Sequence, residues 1–305
     1  MTEVRIAVAP FRTASVDEAV RAGGGLLVEA DAAADGLVWL APWDNDGLAS
    51  AIDITGARWI QLASAGIEDT AATGLLDPAL MWTCAKGAFA EPVAEHALML
   101  ALAGLRMLPD RIVARSWGRS GGASLYDEHV CIVGGGGITA RLLELLAPFR
   151  VAATVIRRTA APVPGAARTM PTERLIDALV DAKVVFLALA LTPQTERIIG
   201  AAQLAAMRPD SWLINVARGK HVDTAALVVA LDEGAIAGAA LDVTDPEPLP
   251  DGHPLWTQPR CIITPHTADT LEMIERPLAR RIQENVARFG AGQPLAGVVD
   301  PAAGY

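Results

Sequence analysis

Three side chains suited to handling protons and carboxylates follow a glycine-rich loop in this chain. The loop is Val133-Gly134-Gly135-Gly136-Gly137-Ile138. After it come Arg218 in Ile214-Asn215-Val216-Ala217-Arg218-Gly219, Glu247 in Asp245-Pro246-Glu247-Pro248, and His266 in Thr264-Pro265-His266. Glycines let a backbone approach a pyrophosphate closely. A planar guanidinium clamps a carboxylate and polarises the carbonyl beside it. An imidazole near its own pKa delivers a proton to a developing alkoxide. A glutamate bonded to the other ring nitrogen favours the protonated ring. These are the parts needed to reduce a 2-oxo acid. Each has a plain alternative when taken alone: a surface arginine, a structural histidine after proline, and a solvated glutamate in an acidic, proline-rich loop.

Context gives the glycine loop its meaning. It follows an apolar run, Cys131-Ile132-Val133, and precedes a helical pattern from Ile138 onward. A helix N-terminus there offers unpaired N–H groups and the positive end of a dipole to an anion. In one register the motif is Gly134-x-Gly136, with Gly137 and Ile138 opening the helix and Thr139 where a third glycine is usual. In the other it is Gly135-x-Gly137-x-x-Ala140. The first keeps Ile138 at the helix start and is preferred. The next strand-like run ends in Arg157-Arg158-Thr159, with no acid to hold a ribose 2′-hydroxyl. Two guanidinium groups suit a 2′-phosphate, which favours NADP(H) while leaving NAD(H) possible.

Composition narrows the classes. The 305 residues suggest about two domains. Hydrophobic residues make up 52% of them, enough for two cores. A formal net charge of −10 and the absence of a basic run argue against nucleic acid or an anionic membrane as partner. Cys84, Cys131 and Cys261 are far apart and form no CxxC, so neither a disulfide framework nor a zinc site is expected. The N-terminus reads as a strand rather than a signal peptide. The apolar stretches 97–105 and 184–191 are too short to span a bilayer, which needs about 20 residues. A soluble, cytoplasmic protein is expected.

The elements that must carry these residues form an alternating series. Candidate strands are 4–9, 26–28, 36–40, 59–62 and 81–83, then 129–133, 151–156, 184–189, 212–216, 237–241 and 261–264. Helical patterns lie at 138–147, 172–178, 201–207 and 223–233, the last with Asp223 as N-cap and Gly234 as stop. A long apolar helix at 92–107 reads as buried between two domains. The pattern predicts an α/β fold of parallel sheets with helices on both faces. A Rossmann dinucleotide-binding domain at 97–269 is expected beside a flavodoxin-like, discontinuous substrate-binding domain made of 1–96 and 270–305. The helix at 271–289 would return to the first domain. Trp39 and Trp43 flank a loop there; they read as core or cap residues before pocket walls.

Taken together, the segments resemble the D-isomer-specific 2-hydroxyacid dehydrogenase family over nearly the whole chain. The likeness rests on Gln61-Leu62-Ala63-Ser64-Ala65-Gly66-Ile67, Ala90-Glu91-Pro92-Val93-Ala94-Glu95-His96 and the glycine loop. It continues through Leu191-Thr192-Pro193-Gln194-Thr195, Asn215-Val216-Ala217-Arg218-Gly219, Ala240-Leu241-Asp242-Val243, Glu247-Pro248-Leu249-Pro250 and Thr264-Pro265-His266. The resemblance implies catalytic roles for Arg218, Glu247 and His266, and substrate-carboxylate binding by backbone N–H groups of the Ala65-Gly66 turn. It also implies that Asp242 sits near the nicotinamide carboxamide, that Val216 to Arg218 line the nicotinamide pocket, and that the protein is a homodimer.

The implied reaction is hydride transfer from NAD(P)H to a small 2-oxo acid such as glyoxylate or hydroxypyruvate. Departures from the family pattern are Thr139, Ala190 in place of a frequent proline, and Thr267-Ala268-Asp269-Thr270 after the histidine. The acid at Asp269 would disfavour anionic substrate tails. No extra C-terminal regulatory domain is expected, which weighs against a phosphoglycerate dehydrogenase. Two alternatives stay open: an NAD-linked enzyme for a bulkier acid, and a non-catalytic dinucleotide sensor.

Overall fold

Short apolar runs become parallel strands wherever a helix of sufficient length separates them, because a parallel pair needs a crossover. The computed structural model describes residues 3–301. The chain forms two compact units, one running to Phe89 and resuming at Thr270, the other Ala90–Asp269.

The first unit contains β1 (Val4–Ala9), α1 (Ala14–Ala22), β2 (Gly25–Val28), β3 (Gly36–Trp39), α2 (Asn45–Thr55), β4 (Trp59–Leu62), α3 (Glu68–Ala72) and β5 (Met81–Thr83). Its five strands are parallel in the order β2-β1-β3-β4-β5, the flavodoxin-like winding. Thr13 and Asp44 cap α1 and α2 through their side chains. The chain's last helix, Leu271–Gly290, belongs to this unit. Its Leu278, Ile282, Val286 and Phe289 join Ile6, Val20 and Trp59 in one core cluster. A buried hydrogen bond from Asn285 Nδ2 to Gln61 Oε1 at 2.8 Å ties it to β4. Trp39 is a core residue whose indole donates to the Ala41 carbonyl at 2.7 Å, whereas Trp43 is 76% exposed.

The second unit runs α4 (Ala90–Leu105), α5 (Leu108–Val113), β6 (His129–Val133), α6 (Gly137–Leu146), β7 (Ala152–Arg157), β8 (Arg168–Pro171) and α7 (Leu175–Leu179). It continues with β9 (Val184–Leu187), α8 (Ala201–Ala206), β10 (Trp212–Asn215), α9 (Thr224–Glu233), β11 (Gly238–Leu241), α10 (Pro254–Thr257) and β12 (Cys261–Ile263). Seven parallel strands lie in the order β12-β11-β10-β9-β6-β7-β8. The order reverses between β6 and β9, so the crevice of a Rossmann sheet opens at their carboxyl ends. Successive strand residues feed the two faces. Ile132, Phe186 and Ile214 enter one core and Cys131, Val185 and Leu213 the other.

Some details differ from the sequence expectations. Helix α4 lies wholly in the second unit, because Val93, Ala94 and Ala97 pack into that unit's core; the sequence reading divided it at residue 96. The sheet has a further edge strand, β8. The helix expected over 172–178 is a 3-10 turn, Thr172–Arg174, followed by the short α7. Among the described residues, no helix is long and apolar enough to cross a membrane.

Candidate active site

The glycine loop leaves β6 at the switch point. Gly134 has φ +117°, and a Cβ on it would stand 2.0 Å from the Ala188 carbonyl oxygen. Only glycine meets both conditions. Helix α6 starts at Gly137 with Gly136 as N-cap, one residue before the expected Ile138. A Cβ at Gly136 would meet nothing within 4 Å, so the ground before the helix N-terminus is open. The unpaired N–H groups of that first turn and the open approach fit a pyrophosphate. Thr139 is completely buried, and its hydroxyl donates to the Gly134 carbonyl at 2.9 Å. The residue read as a departure therefore fastens the loop to its own helix.

Arg157 ends β7 and lies against this loop: a Cβ on Gly135 would be 3.1 Å from Arg157 Cδ and 3.2 Å from its Nε. Arg158 and Thr159 follow it and are exposed. The two guanidinium-bearing residues thus stand at the carboxyl end of the strand next to β6.

Arg218 follows β10 on a turn braced by Asn215. The buried Asn215 amide donates to the Arg218 carbonyl at 2.9 Å, and its oxygen accepts from Ala217 N–H at 3.1 Å. Val216 and Ala217 are buried in the same turn. Gly219 presses the turn against the next loop, since a Cβ there would stand 1.8 Å from the Thr244 carbonyl oxygen. That loop carries Glu247, whose Oε2 accepts from Thr244 N–H at 3.3 Å. Its other oxygen, Oε1, lies 2.6 Å from Nδ1 of His266. The structure therefore joins Glu247 to His266 and sets Arg218 on the loop packed against Glu247's own. The histidine side chain keeps 45% of its surface exposed.

His266 has φ +49°, a left-handed conformation uncommon outside glycine. What holds it there is Asp242. The His266 N–H donates to the Asp242 carbonyl at 2.8 Å. The Asp242 carboxylate, 2% exposed, accepts from Thr264 Oγ1 at 2.6 Å, Thr267 N–H at 3.0 Å and Ala268 N–H at 3.1 Å. His96 of α4 reaches in with Nε2 at 3.3 Å from the same carboxylate and 3.1 Å from the Thr264 hydroxyl. Burial pushes this carboxyl upward, but hydrogen bonds from His96, Thr264, Thr267 and Ala268 outweigh it and bring it down to about 2. Its partners are thus the turn that presents His266. Neither His96 nor Asn215 was singled out for a role in the sequence, although both lie inside segments that carried the family likeness.

Asp269 ends this turn. Burial raises its pKa, while the charges of His266 and Arg218 pull it the other way and Asp242 adds to the rise. All three cysteines are free, and burial pushes both Cys131 and Cys261 up to about 12. Ala65 and Gly66 follow β4 in the first unit, with Ala65 exposed and Gly66 half-buried.

Residues 96–268 match the family model described as D-isomer specific 2-hydroxyacid dehydrogenase, NAD binding domain. A protein of Corynebacterium melassecola, described as an uncharacterized protein in the proB 3′ region, is 40% identical over 254 residues, covering 81% of this chain and 84% of its own. Glyoxylate/hydroxypyruvate reductase A of Photorhabdus laumondii subsp. laumondii is 33% identical over 214 residues, covering 69% of this chain and 68% of its own. A D-isomer specific 2-hydroxyacid dehydrogenase from Xanthobacter autotrophicus Py2, solved in complex with NADPH and MES, superposes with a TM-score of 0.86 at 26% identity over the full length of both chains.

Proposed function

The chain belongs to the D-isomer specific 2-hydroxyacid dehydrogenase family, and within that family we propose that it is an NADP(H)-preferring reductase of a small 2-oxo acid, glyoxylate or hydroxypyruvate being the leading candidates. Members are oxidoreductases acting on the CH–OH group with a nicotinamide dinucleotide. The observation that carries the reading is the pair of His266 Nδ1 and Glu247 Oε1 at 2.6 Å, on the loop packed against the Arg218 turn.

When bound, the dinucleotide supplies the hydride. The chain's own residues do the rest. Gly134, Gly136, Gly137 and Ile138 offer backbone to the pyrophosphate, and the first turn of α6 supplies N–H donors. Arg218 clamps the substrate carboxylate and polarises the 2-oxo group. Glu247 accepts from Nδ1–H of His266, which leaves Nε2 as the atom that delivers the proton to the substrate oxygen. Val216 lines the nicotinamide pocket. Asp242, assigned by resemblance to the carboxamide, has its carboxylate engaged by the His266 turn; we read it first as the residue that sets that turn. The Ala65-Gly66 turn offers backbone N–H groups suited to a carboxylate.

The NADP(H) preference is supported by Arg157 lying on Gly135, with Arg158 next to it and no acid at the strand end. NADPH in the Xanthobacter relative agrees with it. A small, singly charged substrate is supported by Asp269, whose carboxylate repels a second negative group. A homodimer is supported by an exposed apolar run, with Ile112 70%, Val113 68% and Trp117 98% exposed. Free thiols agree with a cytoplasmic setting.

The test is oxidation of NADPH and of NADH, followed by absorbance, against 2-oxo acids from glyoxylate to phenylpyruvate. Turnover with NADPH and a small acid is the expected result. Saturable NADPH binding without turnover of any acid overturns the reading in favour of a sensor.

A further inference from the structure

The structure assigns a positioning role to His221, which no step above uses. It is completely buried and ends the 3-10 turn Gly219–His221 that follows Arg218. Its Nδ1 lies 2.9 Å from the Thr195 carbonyl oxygen and its Nε2 lies 3.3 Å from that of Leu189. Both carbonyls belong to the segment that leaves β9 at the carboxyl edge of the sheet. The same segment starts at Ala188, whose carbonyl fills the space beside Gly134. It is folded on itself by Thr195, whose hydroxyl donates to the Ala190 carbonyl at 2.8 Å and accepts from Thr192 N–H at 2.8 Å. Backbone bonds continue the seam: Arg197 N–H to the Lys220 carbonyl at 2.8 Å, Ile199 N–H to the His221 carbonyl at 3.0 Å, and Asp223 N–H to the Ile199 carbonyl at 2.9 Å.

An imidazole enclosed in this way bridges the two segments from within. On one side stands the turn that presents Arg218; on the other, the segment flanking the glycine loop. We propose that His221 is the strut that makes these two segments one rigid piece, so that dinucleotide binding beside Gly134 and carboxylate binding at Arg218 share a common geometry. The proposal rests on the role given to Arg218 above. The alternative, a histidine that merely fills core volume, predicts a loss of stability and nothing more.

The test compares His221→Leu, which keeps the volume and removes both ring nitrogens, with His221→Gln, which restores a donor. The readouts are KM and kcat for the 2-oxo acid, NADPH affinity by fluorescence, and thermal unfolding. Removing a buried hydrogen bond of this kind is expected to lower kcat/KM about 10-fold or more, chiefly through KM. NADPH affinity falls in the same variant, and His221→Gln recovers most of both losses. Unchanged KM and NADPH affinity in a folded His221→Leu protein overturns the proposal. So does a loss that appears only as a lower Tm and is not rescued by Gln. Should His221→Leu fail to fold, the native enzyme decides: a ring N–H proton of His221 that is slow to exchange by NMR supports the strut, and a fast one removes it. The NADPH and NMR readouts do not depend on turnover, so absence of any 2-oxo acid activity overturns the functional reading and leaves the strut to be judged separately.

Discussion

Two histidine–carboxylate pairs stand in the second unit and could hardly differ more in setting. His266 and Glu247 meet at 2.6 Å with 45% and 39% of their side chains exposed. His96 and Asp242 meet at 3.3 Å with 13% and 1% exposed. The open pair sits on loops and leaves one ring nitrogen for chemistry. The closed pair is anchored on α4 and on the residue just past β11, and spends its hydrogen bonds on Thr264, Thr267 and Ala268. Exposed ion pairs contribute little to stability, whereas a buried carboxylate stripped of its donors is costly. On the proposed function, the open pair does the chemistry and the closed pair is the bench that holds it.

Breaking the open pair gives the largest effect on activity. His266→Asn, a residue that tolerates left-handed φ, is expected to lower kcat about 10² to 10⁴-fold with thermal unfolding nearly unchanged. Near-normal turnover, measured by NADPH oxidation, would end its assignment as proton donor. Breaking the closed pair moves stability instead. Asp242→Ala is expected to cost about 3 kcal/mol in chemical denaturation, with activity falling as the His266 turn loosens. If the stability is unchanged, the bench has been misread.

The acid response separates the two further. Asp242 has its carboxyl lowered to about 2 in the folded state, so the stability it contributes is complete above its unfolded value near 4. That stability is lost as pH falls from about 4 to about 2. Native protein should show this acid loss and Asp242→Asn should lack that component, as read by urea midpoints across the range.

A smaller effect concerns the cofactor. Replacing Arg157 and Arg158 with Ala is expected to reduce the NADPH-over-NADH ratio of kcat/KM by about tenfold or more. An unchanged ratio removes the phosphate clamp. The smallest concerns Asp269. Its folded pKa is raised, so any stability it contributes is present at low pH and lost as pH rises through that raised value. Asp269→Asn is therefore expected to be slightly more stable than native protein at neutral pH, by less than about 1 kcal/mol, and to lose that margin in acid. A margin that stays constant with pH contradicts the burial of its charge.

Much of this was legible in the residues, because a strand buried on both faces is written as a continuous apolar run. Val184, Val185, Phe186 and Leu187 announce themselves as β9 in that way. The edge strand β8 did not: Arg168-Thr169-Met170-Pro171 is polar and ends in proline, as an edge strand permits and a loop also would. Arg218, Glu247 and His266 were visible through the motifs around them. The pairing of His96 with Asp242, and of His221 with Leu189 and Thr195, was not. Each joins residues far apart in the chain, and nothing in the local periodicity encodes that proximity. Thr139 shows a different limit. The sequence marks it as a missing glycine, and only the packed structure reveals a hydroxyl returning to the Gly134 carbonyl.

The left-handed backbone at residue 266 also restricts what any mutational path can place there. Valine, isoleucine and threonine crowd their own carbonyl in that conformation, while asparagine, aspartate and glycine enter it readily. A library randomised at this codon and sorted only for folded protein should return those three beside histidine and leave the β-branched residues behind. The position is thus open to inert replacements and to one other acid–base group, aspartate, whose short side chain would have to do from the same backbone what is proposed for the imidazole.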